Sequence, residues 1–225
     1  MKTDRPDNRE KLENIYRSHH RRGNRYGLLY CGPERVRIIK KWLGENKKVL
    51  DLGCRDGEFT KHYAGKNNVT GVDIDRDALV IAKKNLNIDT EWLDLNEEFP
   101  FREDSYDAVI ACEIIEHIYY PESFLEKIRR VLKPGGVFIG SAPNAFRMYN
   151  RVKFLFGRDF DTDRTHIHIF SVPKIAKLLG QYFVVEEIVP AGGKLFPYVR
   201  VPGKAPFFIK KLFGKDIIWK AVKKK

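Results

Sequence analysis

The residues whose types and spacing suit chemistry stand in two groups. In the first, Glu113, Glu116 and His117 occur in Glu113-Ile114-Ile115-Glu116-His117. A spacing of i, i+3, i+4 sets all three on one face if the segment turns helically. Downstream, His166 and His168 flank Ile167 just ahead of Phe170-Ser171. Two carboxylates and two imidazoles form a ligand set for a divalent metal. In the second group, residues 49–59 read VLDLGCRDGEF. An apolar run passes through Asp51 into Gly53 and Gly57, with further acids at Asp56 and Glu58. This pattern predicts a buried strand, a tight glycine turn and a helix N-terminus. A dinucleotide site would want G-x-G-x-x-G with a pyrophosphate on the helix. Carboxylates crowding the turn repel a pyrophosphate and suit a cation instead.

These groups need elements to carry them. Residues 33–43 open with Pro33, stop before Gly44, and hold Val36, Ile38, Ile39, Trp42 and Leu43 at helical spacing. A short helix is expected over 58–64, a second strand over 68–73, a helix over 76–86 and a third strand over 90–95. A fourth strand over 106–112 follows, then a helix over 121–132, a turn at 133–136 and a fifth strand over 137–142. Alternating strands and helices predict an α/β fold, a parallel sheet with helices on both faces. Asp73 ends the second strand about 20 residues past the glycines, where an acid accepts hydrogen bonds from ribose hydroxyls. Asp75 is its rival, but Asp73 follows the apolar run directly. Beyond residue 142 come a loop and basic helix (143–157), a helix at 172–179, a sixth strand at 182–189 and a seventh at 217–222. Residues 190–214 are rich in Gly, Pro and aromatics, including Phe196, Tyr198, Phe207, Phe208 and Phe213.

VLDLGCRDGEF resembles motif I of class I S-adenosylmethionine-dependent methyltransferases, although Arg55 stands where that family usually has Gly. YDAVIACEIIEHI followed by FLEKIRRVLKPGGVFI is a second resemblance, with the LxPGG turn before a β-rich run. Together they span roughly residues 47–222. The resemblance implies a Rossmann-like seven-stranded, mostly parallel sheet with the last strand antiparallel. It also implies S-adenosyl-L-methionine, whose sulfonium and ammonium match the acidic turn. The implied cofactor residues are Asp51, Gly53, Cys54, Arg55, Gly57, Asp73, Ile74, Asp94, Leu95, Cys112 and Glu113. E-x-x-E-H with a distant His is similar to ubiquinone-pathway and small-RNA O-methyltransferases. That likeness selects His166 over His168 and implies Mg²⁺ or Mn²⁺ on Glu113, Glu116, His117 and His166. There a metal polarises a hydroxyl. Without one, His117 or His166 serves as general base, while a purely structural His117, satisfied by helix-end carbonyls, remains open.

The length fits one α/β domain, taken as 33–225 with insertions near 143–170 and 190–214, behind a basic extension over 1–32. Cys31, Cys54 and Cys112 are odd in number and widely spaced, which suits a reducing cytosol better than a disulfide framework. With no signal peptide and no run long enough to span a membrane, a cytoplasmic protein is expected. The net charge of +12 is uneven. Residues 49–131 hold 10 Lys and Arg against 18 Asp and Glu, and the remainder holds 32 against 12. Residues 15–26 alone carry four arginines, two histidines and no acid, either a helix over the cleft or an anion-binding arm. The acceptor is expected to be a small molecule, sugar or lipid-linked compound with a hydroxyl group. Nucleic acid bound through the basic flanks, as in RNA 2′-O-methylation, and a catalytically silent cofactor-binding module are the alternatives. The sequence leaves the oligomeric state open.

Overall fold

The computed structural model describes residues 8–23, 26–29, 32–159, 163–196 and 199–224. Cys31, Tyr198, residues 1–7 and parts of 15–26 and 159–170, on which the sequence reading drew, lie outside them. The chain opens with α1 (Asn8–Arg22) and α2 (Pro33–Leu43), then β1 (Lys48–Leu52), α3 (Lys61–Ala64), β2 (Asn68–Asp73), α4 (Arg76–Leu86), β3 (Asp89–Trp92) and β4 (Tyr106–Cys112). A 3₁₀ turn, Ile115–His117, leads into α5 (Pro121–Val131), β5 (Leu132–Pro143), α6 (Met148–Leu155), α7 (Val172–Gly180) and β6 (Val184–Ala191). The small pair β7 (Lys194–Phe196) and β8 (Val199–Arg200), then α8 (Phe207–Phe213) and β9 (Asp216–Val222), complete it.

Seven strands form one sheet in the order β3-β2-β1-β4-β5-β9-β6. The first five run parallel, and β9 lies antiparallel between β5 and β6. Alternation along the central strands feeds both faces. Leu50, Leu52, Val109, Ala111, Ile217 and Trp219 enter one core with Phe124 and Ile128 of α5. Val49, Ile110 and Ile218 enter the other with Ile39 and Leu43 of α2. Burial on both sides is what a parallel sheet between helical layers requires. Local sequence sets the helix limits. Asp75 caps α4 by accepting from the amides of Asp77 and Ala78, and Asn87 closes it in the left-handed conformation.

Several boundaries move. The helix expected from residue 58 begins at Lys61, because 53–60 form the turn itself. The third strand ends at Trp92, so Leu95 belongs to the following loop. The turn expected at 133–136 is drawn into β5, where Gly135 (φ 75°) donates to the Lys223 carbonyl and Gly136 accepts from its amide. The run within 15–26 is mainly helix α1, which resolves the choice between a covering helix and an arm.

Candidate active site

The strand order reverses between β1 and β4, and a cavity of about 530 Å³ opens there at the carboxyl ends of the strands. Open α/β sheets hold ligands at such a switch point. Asp51, Gly53, Cys54 and Arg55 line it from β1 and its turn, Asp73 and Ile74 from β2, Asp94 and Leu95 past β3, and Cys112 and Glu113 from the end of β4. Gly57 alone of the expected cofactor residues is absent from the lining. Its φ is 80°, and a side chain there would meet Leu86 Cδ1 at 2.6 Å, so its glycine serves the packing of the turn on α4. Arg55, at the family's glycine position, holds φ 51°. It sustains this left-handed backbone with its amide donating to Asp73 Oδ2 (2.8 Å) and its guanidinium to Asp56 Oδ1 (2.9 Å) and the Leu28 carbonyl (2.6 Å). Asp73 also accepts from the Asp75 amide at 2.9 Å, which fixes the carboxylate toward the cavity floor. Asp75 instead binds His20 Nδ1 (2.8 Å) and the Tyr26 hydroxyl (2.7 Å) and caps α4, so the structure separates the two rivals.

Asp51 is buried and accepts from the Thr60 hydroxyl (2.6 Å) and the Tyr63 hydroxyl (2.7 Å). Burial, opposed by those two bonds and aided by the Asp73 charge, lifts its carboxyl to about 6. Burial likewise raises Asp73. Both are carboxyls that a cation in the cavity would draw back into the charged form.

Glu116, His117 and His166 converge, their ligating atoms all within 4.8 Å of one another. Glu116 is 1 % exposed, and both its carboxylate oxygens are buried without a hydrogen-bond partner. Its Oε1 lies 4.0 Å from Nε2 of His117 and 4.0 Å from Nε2 of His166. Burial, with the Glu113 charge beside it, pushes this carboxyl well up. An orphaned buried carboxylate facing two imidazoles is a donor set that fits a divalent cation. The His117 Nδ1–H donates to the Thr165 carbonyl at 2.9 Å, since a carbonyl can only accept. Its Nε2 lone pair therefore faces Glu116, and burial holds the ring neutral by lowering its pKa to about 4. The Glu116 carbonyl accepts from the amides of Ile167 and His168, which fastens the 163–170 segment over the 3₁₀ turn. His168 turns instead toward the Tyr119 carbonyl (3.3 Å).

Glu113 departs from the expected ligand set. It sits at φ 58° as β4 ends, and the set of converging ligand atoms, from Glu116, His117 and His166, does not include it. Its carboxylate accepts from the Ser141 hydroxyl (2.9 Å) and pairs with Arg35 (3.1 Å), which also binds Asp216 Oδ2 at 2.8 Å. Arg35, Asp216, Tyr16, His19, His20 and Asp163 line the cavity and escaped the sequence reading. Arg35 left a signal: it shares the buried face of α2 with Ile39 and Leu43, where a guanidinium must have buried partners. Asp163 pairs with His19 at 3.3 Å. Although burial opposes its charge, the Thr165 hydroxyl and amide and the His19 and His166 rings hold it down at about 2.

The chain matches the model of a methyltransferase domain over residues 17–182. It is 32% identical over 134 residues to a ubiquinone biosynthesis O-methyltransferase of Hydrogenovibrio crunogenus, covering 55% of each chain. To a ribosomal protein L11 methyltransferase of Dictyoglomus thermophilum it is 35% identical over 111 residues, 47% of this chain and 36% of that one. It thus spans about half or less of these relatives' lengths. A solved S-adenosylmethionine-dependent methyltransferase from Thermotoga maritima superposes with a TM-score of 0.66 at 18% identity, covering 96% of this chain and 98% of that one. The sheet order, the position of the cavity and the family match agree, and the chain belongs to the methyltransferase-domain family of class I S-adenosylmethionine-dependent methyltransferases.

Proposed function

We propose that the protein transfers the methyl group of S-adenosyl-L-methionine to a hydroxyl oxygen of a small, sugar or lipid-linked acceptor. One observation carries this reading: the cavity lined by Asp51, Asp73 and Asp94 also holds His117 and His166, with Glu116 behind them. The cofactor residues on this reading are Asp51, Gly53, Cys54, Arg55, Asp73, Ile74, Asp94, Leu95, Cys112 and Glu113. Asp73 accepts from ribose hydroxyls, and the acidic turn offsets the cofactor's positive charge. Glu116, His117 and His166 are the residues that would hold Mg²⁺ or Mn²⁺, which supplies Lewis acidity toward a hydroxyl. Without a metal there, His117, neutral and with its Nε2 lone pair inward, or His166 takes the hydroxyl proton as the oxygen attacks the methyl carbon in line with the departing sulfur. The walls align the reactants and keep water away. The ubiquinone-pathway relative supports an oxygen acceptor, and the 163–170 segment bound to Glu116 supports an acceptor of limited size.

Calorimetric titration with S-adenosylhomocysteine, with Mn²⁺ and then with EDTA, tests the reading. Micromolar binding lost in Asp73→Ala is expected, with Mn²⁺ binding lost in Glu116→Ala. Absence of nucleoside binding under every condition would refute it. RNA is the competing acceptor, favoured by the basic flanks. It predicts oligonucleotide binding that falls steeply with salt, and a flat response removes it.

A further inference from the structure

Residues 143–158 (PNAFRMYNRVKFLFGR) and 199–215 (VRVPGKAPFFIKKLFGK) hold nine Lys and Arg and no Asp or Glu. They contain α6 and α8, which lie against one another. Asn150 is the one buried residue of α6, while α8 has none and rests on β6 with Ile209, Leu212 and Phe213 half-buried. Other large apolar side chains of these segments face solvent. Phe154, Leu155 and Phe156 are 72, 79 and 74 % exposed, and Phe207 and Phe208 are 54 and 67 % exposed. Arg151, Arg158, Lys204 and Lys211 are exposed among them. Large apolar side chains left in water on two touching helices mark an interaction surface. Cations without a single acid specify an anionic partner, and bulky apolar residues beside them specify one with an apolar interior. RNA would neutralise the charge yet offer Leu155 and its neighbours no apolar phase.

We propose that α6 and α8 dock the protein on an anionic phospholipid bilayer. Phe154, Leu155, Phe156, Phe207 and Phe208 enter the boundary between headgroups and acyl chains, and Arg151, Arg158, Lys204 and Lys211 meet the phosphates. The surface adjoins the active site. A smaller cavity of about 90 Å³ touches Arg147 and Asn150 at the start of α6 and shares Pro143, His166 and Lys215 with the main cavity. Docking therefore brings the histidine side of the cleft toward the membrane, where an apolar acceptor would reside. The docking itself goes beyond the methyl-transfer reading, since it requires neither cofactor nor acceptor.

The test is co-sedimentation of the full chain with phosphatidylcholine vesicles, with and without phosphatidylglycerol, in the absence of cofactor. Binding to the anionic vesicles should be at least about tenfold tighter. Phe154→Ser with Phe156→Ser, and separately Lys204→Glu with Lys211→Glu, should each weaken it about tenfold or more. Both pairs should keep the wild-type melting temperature and affinity for S-adenosylhomocysteine. Equal binding to both vesicle types, or binding untouched by either pair, overturns the proposal. So does light scattering that shows a dimer which Phe154→Ser with Phe156→Ser dissociates, or RNA binding that depends on these residues while vesicles are ignored. Loss of nucleoside binding in the wild type would sink the enzyme reading and leave this one standing.

Discussion

Two buried charge sites define what single residues do here. The Asp51 carboxyl is lifted from 3.8 to about 6, chiefly by burial. A raised acid binds its proton more tightly folded than unfolded. Its contribution is thus fully present below about pH 4 and is lost as pH rises through 6, an effect on the order of 3 kcal/mol. Urea midpoints taken from pH 4 to 7 should therefore decline less steeply in Asp51→Asn than in the wild type. A bound cationic cofactor reverses the shift, so binding near pH 6 should release a proton and make the calorimetric heat depend on the buffer's ionisation enthalpy. Arg35 is the second site. Its guanidinium lies between half-buried Glu113 (3.1 Å) and buried Asp216 (2.8 Å). Arg35→Met leaves two carboxylates facing each other without that countercharge, and a loss of about 3–5 kcal/mol in unfolding free energy is expected. Asp73 was legible in the sequence because its place follows from strand length and the glycine turn. The fate of Glu113 was not. The helical spacing assumed for E-x-x-E-H gives way to a left-handed residue and a 3₁₀ turn, which place Glu113 on Arg35 and leave Glu116 with the histidines.

At the scale of elements, α2, α4 and β4 have the limits that periodicity and caps indicated, because each carries its start and stop signals locally. Helix α1 does not. Its later arginines and both histidines stand in an acid-free run over 15–26 because the acids that receive them lie outside that run, at Glu13 earlier in the helix and farther along the chain. Buried Glu13 pairs with Arg17 and Arg76, His20 with Asp75, Arg21 with Asp77 and His19 with Asp163. These ties hold Leu12, Tyr16, His19 and His20 against the cavity, so α1 is a wall of the site and not an appendage. A chain lacking residues 1–22 should keep its sheet, since the cores draw nothing from α1. Its affinity for S-adenosylhomocysteine should fall by about tenfold or more, as a removed wall lets water reach the ligand. Circular dichroism and calorimetry on the same sample separate the outcomes: retained ellipticity with unchanged affinity would deny α1 a role in binding.

Over the whole molecule, the unequal charge visible in the sequence takes two forms. Part of the basic excess closes on the acidic core through α1, and part stays outward on α6 and α8, a division that charge counting could not foresee. Long-range order is also concentrated at the end of the chain. β9 pairs with both β5 and β6, and it sends Ile217, Trp219 and Ala221 into one core and Ile218 into the other, all fully buried. Its first residue, Asp216, reaches Arg35 of α2 at the cavity. Trp219 packs against Gly140 of β5 so closely that a side chain at 140 would strike its ring. Removing residues 216–225 would strip β6 of its partner, open an edge of β5, and uncover about four large or medium apolar side chains' worth of core. At roughly 1.5–3 kcal/mol for each large side chain, that loss rivals the whole stability of a typical domain. The truncated chain should show no cooperative thermal transition by circular dichroism and should fail to bind S-adenosylhomocysteine. A cooperative transition in that chain would mean that the first five strands fold on their own and that β9 only completes the site.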